Sequence, residues 1–208
     1  MRILAIETAT EACSVALFED AMLVDARHEV LGRGHAEKLI PMIAALPGKG
    51  RAERIVVSLG PGSFTGVRIG IAAARALGVA WQAEVLGYPT LSLIAAIGAH
   101  EHSGPVTVCM HGGHGEWFVQ NFDAAGDAEE TVQSLAPAAA KAAARHTTIA
   151  GNRATDLGQI IGDDGQTALD LLPDARHFPL LGDRHLTDQL TPIYGRAPDA
   201  KLPSSATS

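Results

Sequence analysis

The segment Ser58-Leu59-Gly60-Pro61-Gly62-Ser63-Phe64-Thr65-Gly66-Val67-Arg68-Ile69-Gly70 constrains the fold more than any other part of this chain. Just upstream, Arg54-Ile55-Val56-Val57-Ser58 is a short β-branched run suited to a central strand. Gly60 and Gly62 permit backbone angles that other residues avoid, and the spacing beyond them predicts a helix over 65–81. A strand fed through a glycine-rich turn into a helix is the repeating unit of α/β folds. Within the helix, Gly66, Gly70, Ala74 and Gly78 recur every fourth residue and form one ridge of minimal side chains. A glycine inside a helix costs about 1 kcal/mol relative to alanine, so this ridge signals the close approach of another backbone. That backbone belongs either to the chain's own sheet or a neighbouring helix, or to a partner protein. The turn is not a P-loop: the spacing from Gly60 does not give GxxxxGK[ST], and neither lysine nor the required Ser/Thr follows Gly66.

At 208 residues the chain can form one substantial domain or two small ones. Apolar residues make up 47% and charged residues 19%, below the roughly 25% of ordinary soluble domains, which points to surface covered by a partner. A net charge of −7 with no basic cluster, and only 4% aromatic residues, exclude nucleic-acid binding by this chain alone; any RNA contact runs through another protein. Met1-Arg2-Ile3-Leu4-Ala5-Ile6 is too short for the apolar core of a secretion signal, and no apolar run approaches membrane-spanning length. Cys13 and Cys109 sit in apolar strand-like runs, as small core residues rather than a disulfide or a nucleophile. A reduced, cytoplasmic setting is expected.

Strands are predicted at 2–7, 12–19 and 22–29 as an antiparallel meander, followed by a helix at 34–46, the strand at 54–58, the helix at 65–81, a strand at 84–87 and a helix at 89–98. After a polar break at 99–105 the pattern restarts. Strands at 106–110 and 116–122 form a hairpin across His111-Gly112-Gly113-His114-Gly115, then come a helix at 135–145, a strand at 147–150, a helix at 153–161 and a weak strand at 176–178. The tail over 192–208 is loop-rich. A three-strand start repeated after the midpoint predicts two similar α/β lobes, 1–103 and a smaller 104–208.

Four segments carry a resemblance: Ile3-Leu4-Ala5-Ile6-Glu7-Thr8-Ala9-Thr10, His35-Ala36-Glu37-Lys38-Leu39-Ile40-Pro41, the stretch from Gly60 to Gly70, and Thr191-Pro192-Ile193-Tyr194-Gly195-Arg196. Together they resemble the TsaB (YeaZ) family, strongly over the first 100 residues and mainly through the Pro-x-Tyr-x-Arg ending beyond them. The resemblance implies a two-lobed actin/sugar kinase/Hsp70-like fold, each lobe built on a ribonuclease-H-like sheet. It also implies a non-catalytic scaffold in the threonylcarbamoyladenosine (t6A) modification of tRNA, activating a TsaD-like catalytic subunit with a TsaE-like ATPase completing the assembly. The N-terminal-lobe helices would form that interface and a homodimer. On this reading the interface holds the ridge Gly66, Gly70, Ala74 and Gly78, together with Ser63, Phe64, Thr65 and His35.

The same resemblance implies that the catalytic relative holds a metal through two histidines at i, i+4. Here His35 is followed four residues later by Leu39, so no such pair exists. Nucleotide-binding members of the superfamily carry an aspartate and a glycine in the first hairpin turn; this chain has Glu7 and Ala9, and ATP turnover at this loop is not expected. In the second hairpin, Gly115-Glu116 keep the family register, but His111-Gly112-Gly113-His114 replace its Asp-Ala-Arg segment. No cofactor or metal is expected. An alternative is a metal-dependent, peptidase-like hydrolase using His100, His102, His111 and His114. A free-standing nucleotide-binding module is a third. Ser63 and Thr65 read as helix-capping residues rather than nucleophiles.

Overall fold

Two five-stranded sheets of matching topology organise the described residues. The computed structural model describes residues 1–162 and 165–196. The first sheet is built from β1 (Arg2–Glu7), β2 (Ala12–Glu19), β3 (Met22–Val30), β4 (Arg54–Ser58) and β5 (Glu84–Tyr88), in the order β3-β2-β1-β4-β5. β1, β2 and β3 are antiparallel, as the meander predicts, and β1, β4 and β5 run parallel. The second sheet contains β6 (Val106–Gly113), β7 (Glu116–Phe122), β8 (Gln133–Leu135), β9 (Thr148–Ala150) and β10 (Thr167–Leu169). Its order, β8-β7-β6-β9-β10, and its directions repeat those of the first, strand for strand. This is the duplicated ribonuclease-H-like, actin-type fold.

Period-two alternation in the strands sets the layers. Leu4, Ile6, Val15, Leu17, Ile55 and Val57 face a core shared with α1 (His35–Ala44) and α2 (Phe64–Trp81), while Ala5, Ala16, Phe18 and Val56 face the opposite side. On that side lies α3 (Thr90–Glu101), which is apolar all round because it is clamped between the sheets. Its Leu93 and Ile97 pack on the first sheet, and its Leu91, Ile94 and Ala95 pack on the second. The outer face of the second sheet is covered by α4 (Pro137–Ala143) and α5 (Ala154–Ile161) through Ala140, Ala154 and Leu157. Among the described residues no helix is long and apolar enough to cross a membrane.

After β10 the chain returns to the first sheet. The strand expected at 176–178 is instead a 3-10 helix, Ala175–Leu180, which contains Pro179 and is opened by the Asp174 carboxylate accepting from the Arg176 N–H. Its Ala175 and Phe178, with Leu181 beyond it, complete the core beneath Phe18 and Tyr88. Further on, Thr187 pairs with Gly87, and the Ile193 N–H donates to the Leu59 carbonyl at 2.7 Å. Strands β8 and β10 go unread in the sequence because each is a three-residue edge strand only partly buried, whereas the equally short β9 is central and fully buried. Of the expected loop-rich tail, 197–208 lie outside the described residues.

Candidate functional site

The turn before α2 is shaped by backbone contact. Gly60 has φ +89°, and its carbonyl accepts the Thr90 N–H that starts α3, joining the two helices at one point. A Cβ on Gly62 would lie 2.0 Å from the Ala9 carbonyl oxygen, so the loop lies directly on the β1–β2 turn. The Ser63 hydroxyl then caps α2 by accepting the Gly66 N–H, as read from the sequence.

The small-residue ridge of α2 points inward, which corrects the expectation that it meets a partner. Gly66, Gly70, Ala74 and Gly78 are all buried. A Cβ on Gly66 would stand 2.1 Å from the Thr8 carbonyl oxygen, one on Gly70 2.4 Å from Thr8 Oγ1, and one on Gly78 2.4 Å from a Val85 methyl. The Thr8 hydroxyl donates to the Gly66 carbonyl at 2.9 Å, pinning the helix to the end of β1. The backbone that needs this smooth ridge is therefore the chain's own. His35 is corrected likewise: its ring is buried at the start of α1, with Nε2 3.2 Å from the Ala12 carbonyl oxygen. Ser63, Phe64 and Thr65 are exposed, and the face of α2 opposite the ridge presents Ala72, Ala76, Ala80 and Val79, the last 83% exposed. Alongside it α1 exposes Ile40.

In the first hairpin turn the polar groups are internally engaged. Glu7 Oε1 accepts the Ala9 N–H at 2.7 Å, and Thr10 Oγ1 accepts the Ala12 N–H. Burial pushes the Glu7 carboxyl up to about 7, although the Ala9 and Thr8 N–H groups and the Ser58 and Tyr88 hydroxyls favour its charged form. The four histidines of the hydrolase alternative do not converge. His100 and His102 end α3, ahead of β6, whereas His111 and His114 sit at the far end of that strand, roughly 20 Å away at the usual rise per residue. Among the described residues no three His, Cys, Asp or Glu side chains are placed to hold a metal ion.

What the sequence did not reveal is the convergence of α2 with the C-terminal segment. The Arg68 guanidinium lies 3.3 Å above the Phe64 ring centre and donates to the Phe64 carbonyl and to the Tyr194 hydroxyl. The Phe64 and Tyr194 rings stack with centres 6.0 Å apart. Arg196 pairs with Glu116 across 3.6 Å, and Gly195 lies so close to Phe118 that a Cβ would meet its ring at 2.4 Å. Phe64, Arg68, Phe118, Tyr194 and Arg196 line a cleft of about 430 Å³, closed on the second-sheet side by Gly112 and His114. His114 and Gly115 both have positive φ, as a two-residue hairpin requires. The adjoining cleft of about 400 Å³ is bridged at one edge by Asn152, which accepts the His111 N–H and donates to the Glu11 carboxylate. The clue was present in the sequence, since both arms of the cleft fall in segments that carry the family resemblance, yet Arg68 and Tyr194 are 126 positions apart.

The family model for the tRNA N6-adenosine threonylcarbamoyltransferase (TsaD) matches residues 26–171, more than half of the chain. The chain is 43% identical over 113 residues to the tRNA threonylcarbamoyladenosine biosynthesis protein TsaB of Escherichia coli, a match covering 52% of this chain and 48% of that one. Against the TsaB of Bacillus subtilis it is 30% identical over 105 residues, 48% of this chain and 46% of the other. The YeaZ structure from Pseudomonas aeruginosa superimposes with a TM-score of 0.75 at 26% identity, over 93% of this chain and 99% of that one. The chain belongs to this family, on its TsaB (YeaZ) branch. Its matches span about half the length of the curated TsaB relatives. The ethanolamine utilization protein EutJ of Carboxydothermus hydrogenoformans shares the fold alone, with a TM-score of 0.52 at 9% identity over 88% of this chain and 90% of that one.

Proposed function

We propose that this TsaB-family chain serves in the formation of threonylcarbamoyladenosine on tRNA as a non-catalytic subunit that holds and activates a TsaD-like catalytic protein, with a TsaE-like ATPase joining the assembly. The observation that carries this reading is the exposed face of α1 and α2. Ile40, Ala72, Ala76, Val79 and Ala80 leave small and apolar side chains in water on two helices whose other faces are fully used by the first sheet. This face replaces the buried glycine ridge as the surface for the TsaD-like partner and for a homodimer. A non-catalytic role is supported by the use of His35 inside the fold, by Leu39 in the core where a second histidine ligand would stand, and by Glu7 held in the β1–β2 turn. In an acidic chain, tRNA contact falls to the assembled complex rather than to this subunit.

The test is reconstitution with the TsaD-like and TsaE-like proteins of the same organism. Val79→Glu places a charge on the exposed face and should change folding stability by no more than about 0.5 kcal/mol. The same change should weaken association, read by light scattering after size exclusion, and lower tRNA modification in parallel. Full association and modification by a Val79→Glu, Ile40→Glu double variant would remove this face from consideration.

A further inference from the structure

We propose that β3 is an edge to which a second copy of this chain can add as a further strand of the first sheet, and that Asp25 and Arg27 hold it closed by occupying the backbone groups such pairing needs. Among the described residues β3 is the long free edge. It has nine residues, whereas the edge strands of the second sheet, β8 and β10, have three each, and β5, at the other end of the first sheet, receives Thr187 across from Gly87. An uncovered strand of this length presents a row of N–H and C=O groups to any other chain. Apolar side chains accompany them: Met22 is 74% exposed, and Leu23, Val24 and Val30 are exposed as well.

The phase of the β2–β3 ladder identifies the groups at stake. The Leu31 N–H donates to the Glu11 carbonyl and Val30 stands opposite Ala12, so by alternation Asp25, Arg27 and Glu29 turn their backbone groups to β2, while Ala26, His28 and Val30 turn theirs outward. At Ala26 both outward groups are taken by its neighbours. The N–H donates to Asp25 Oδ1 at 2.8 Å, and the carbonyl accepts from Arg27 Nη1 at 2.7 Å. The two side chains also pair with each other, and Arg27 Nη2 reaches the Ala45 carbonyl at the end of α1, 3.5 Å away. A bulge at Val24, which has no residue opposite it, bends the strand just before this clamp. Charges and bulges are the means by which sheet edges avoid other chains. The occupant is a second copy because the strand fits its own image. A two-fold axis at Ala26 lets that residue exchange both hydrogen bonds with the partner's Ala26, and brings the exposed Met22–Val24 end beside the partner's Val30. Asp25 then comes opposite the partner's Arg27, so no like charges meet. This contact uses neither Ile40 nor Val79, and the inference does not rest on the subunit role proposed above.

The experiment is light scattering after size exclusion over a concentration series, on the full chain carrying Val79→Glu and Ile40→Glu so that contact through the helix face is suppressed. Adding Asp25→Ala with Arg27→Ala should strengthen self-association about ten-fold or more, because Ala26 then finds hydrogen-bond partners only across the edge. Hydrogen exchange at the Ala26, His28 and Val30 amides should slow as concentration rises. Ala26→Pro, added to the same variant, removes the central outward donor at a position where an edge strand tolerates proline, and should return the monomer. Should the alanine pair lower the melting temperature, Asp25→Thr with Arg27→Thr, both strand-favouring residues, should give the same association. Association no stronger than the parent's in both pairs, association that survives Ala26→Pro, or association that leaves those three amides unprotected would each overturn the proposal.

Discussion

At the scale of single residues, Glu7 couples stability to pH. Its carboxyl is fully buried beside the Tyr88 hydroxyl and the Ala9 N–H, and burial raises it from 4.5 to about 7. The folded chain therefore keeps a proton there that the unfolded chain has released. The corresponding stability is fully present below pH 4.5 and is lost as pH rises through about 7. The shift corresponds to roughly 3 kcal/mol. Glu7→Gln carries no charge at any pH and so removes this dependence. In urea unfolding from about pH 5 to about pH 8.5, the difference between variant and wild type should move in the variant's favour by up to that amount, and a difference flat across the range would refute the assignment. The sequence presented Glu7 only as a departure from the family's aspartate; its burial follows from the packing of β1 between β2 and β4, which single-residue reading does not supply.

At the scale of elements, α2 shows what a residue pattern can and cannot decide. The every-fourth-residue spacing of small side chains correctly implies a close backbone neighbour, but the same spacing serves a sheet or a partner equally well. The deciding fact is that β1 ends beneath the helix, with Thr8 against Gly66 and Gly70. Substitution costs should follow the type of neighbour. Gly66→Ala drives a methyl into the Thr8 carbonyl, which the sheet holds in place, whereas Gly70→Ala meets the buried Thr8 hydroxyl, which can turn away only by giving up its hydrogen bond to the Gly66 carbonyl. Each gains about 1 kcal/mol of helix propensity against an overpacking cost of about 1–3 kcal/mol or more. Thermal melting should therefore show both variants destabilised, Gly66→Ala the more so because the backbone it meets cannot turn at all. The reverse order would mean that the hydroxyl contact, not the carbonyl, sets the helix height. The longer strands of the first sheet, the glycine turn and the Ser63 cap were legible because their signals are local. The 3-10 helix at Ala175–Leu180 was not, since its apolar residues are explained only by a core contributed from far upstream.

For the whole molecule, the repeated strand order supports two lobes, and we propose 1–103 and 104–208 as their halves, with one qualification that the returning C-terminal segment imposes. Phe178 lies 6.2 Å from Phe18 and 6.1 Å from Tyr88, ring centre to ring centre, and the half-buried Ile193 and Leu190 pack against the core shared with α1 and α2. Residues 174–193 thus close the first lobe on both faces of its sheet, and α3 is shared with the second sheet. A fragment ending at residue 103 would leave Phe18, Tyr88, Leu91 and Ile94 in water, at about 1.5–3 kcal/mol for each large side chain, against a net domain stability of about 5–15 kcal/mol. Expressed alone, 1–103 should lack a cooperative thermal transition, and co-expression with 104–208 should restore one by rebuilding the shared core. Phe178→Ala in the full chain tests the same closure more gently. It should cost about 3–5 kcal/mol by opening a cavity under the first sheet, although the residue lies far along the chain from that sheet's strands. A cooperative melt of isolated 1–103 at the temperature of the full chain, together with a neutral Phe178→Ala, would make the lobes energetically independent and reduce the returning segment to a surface strap.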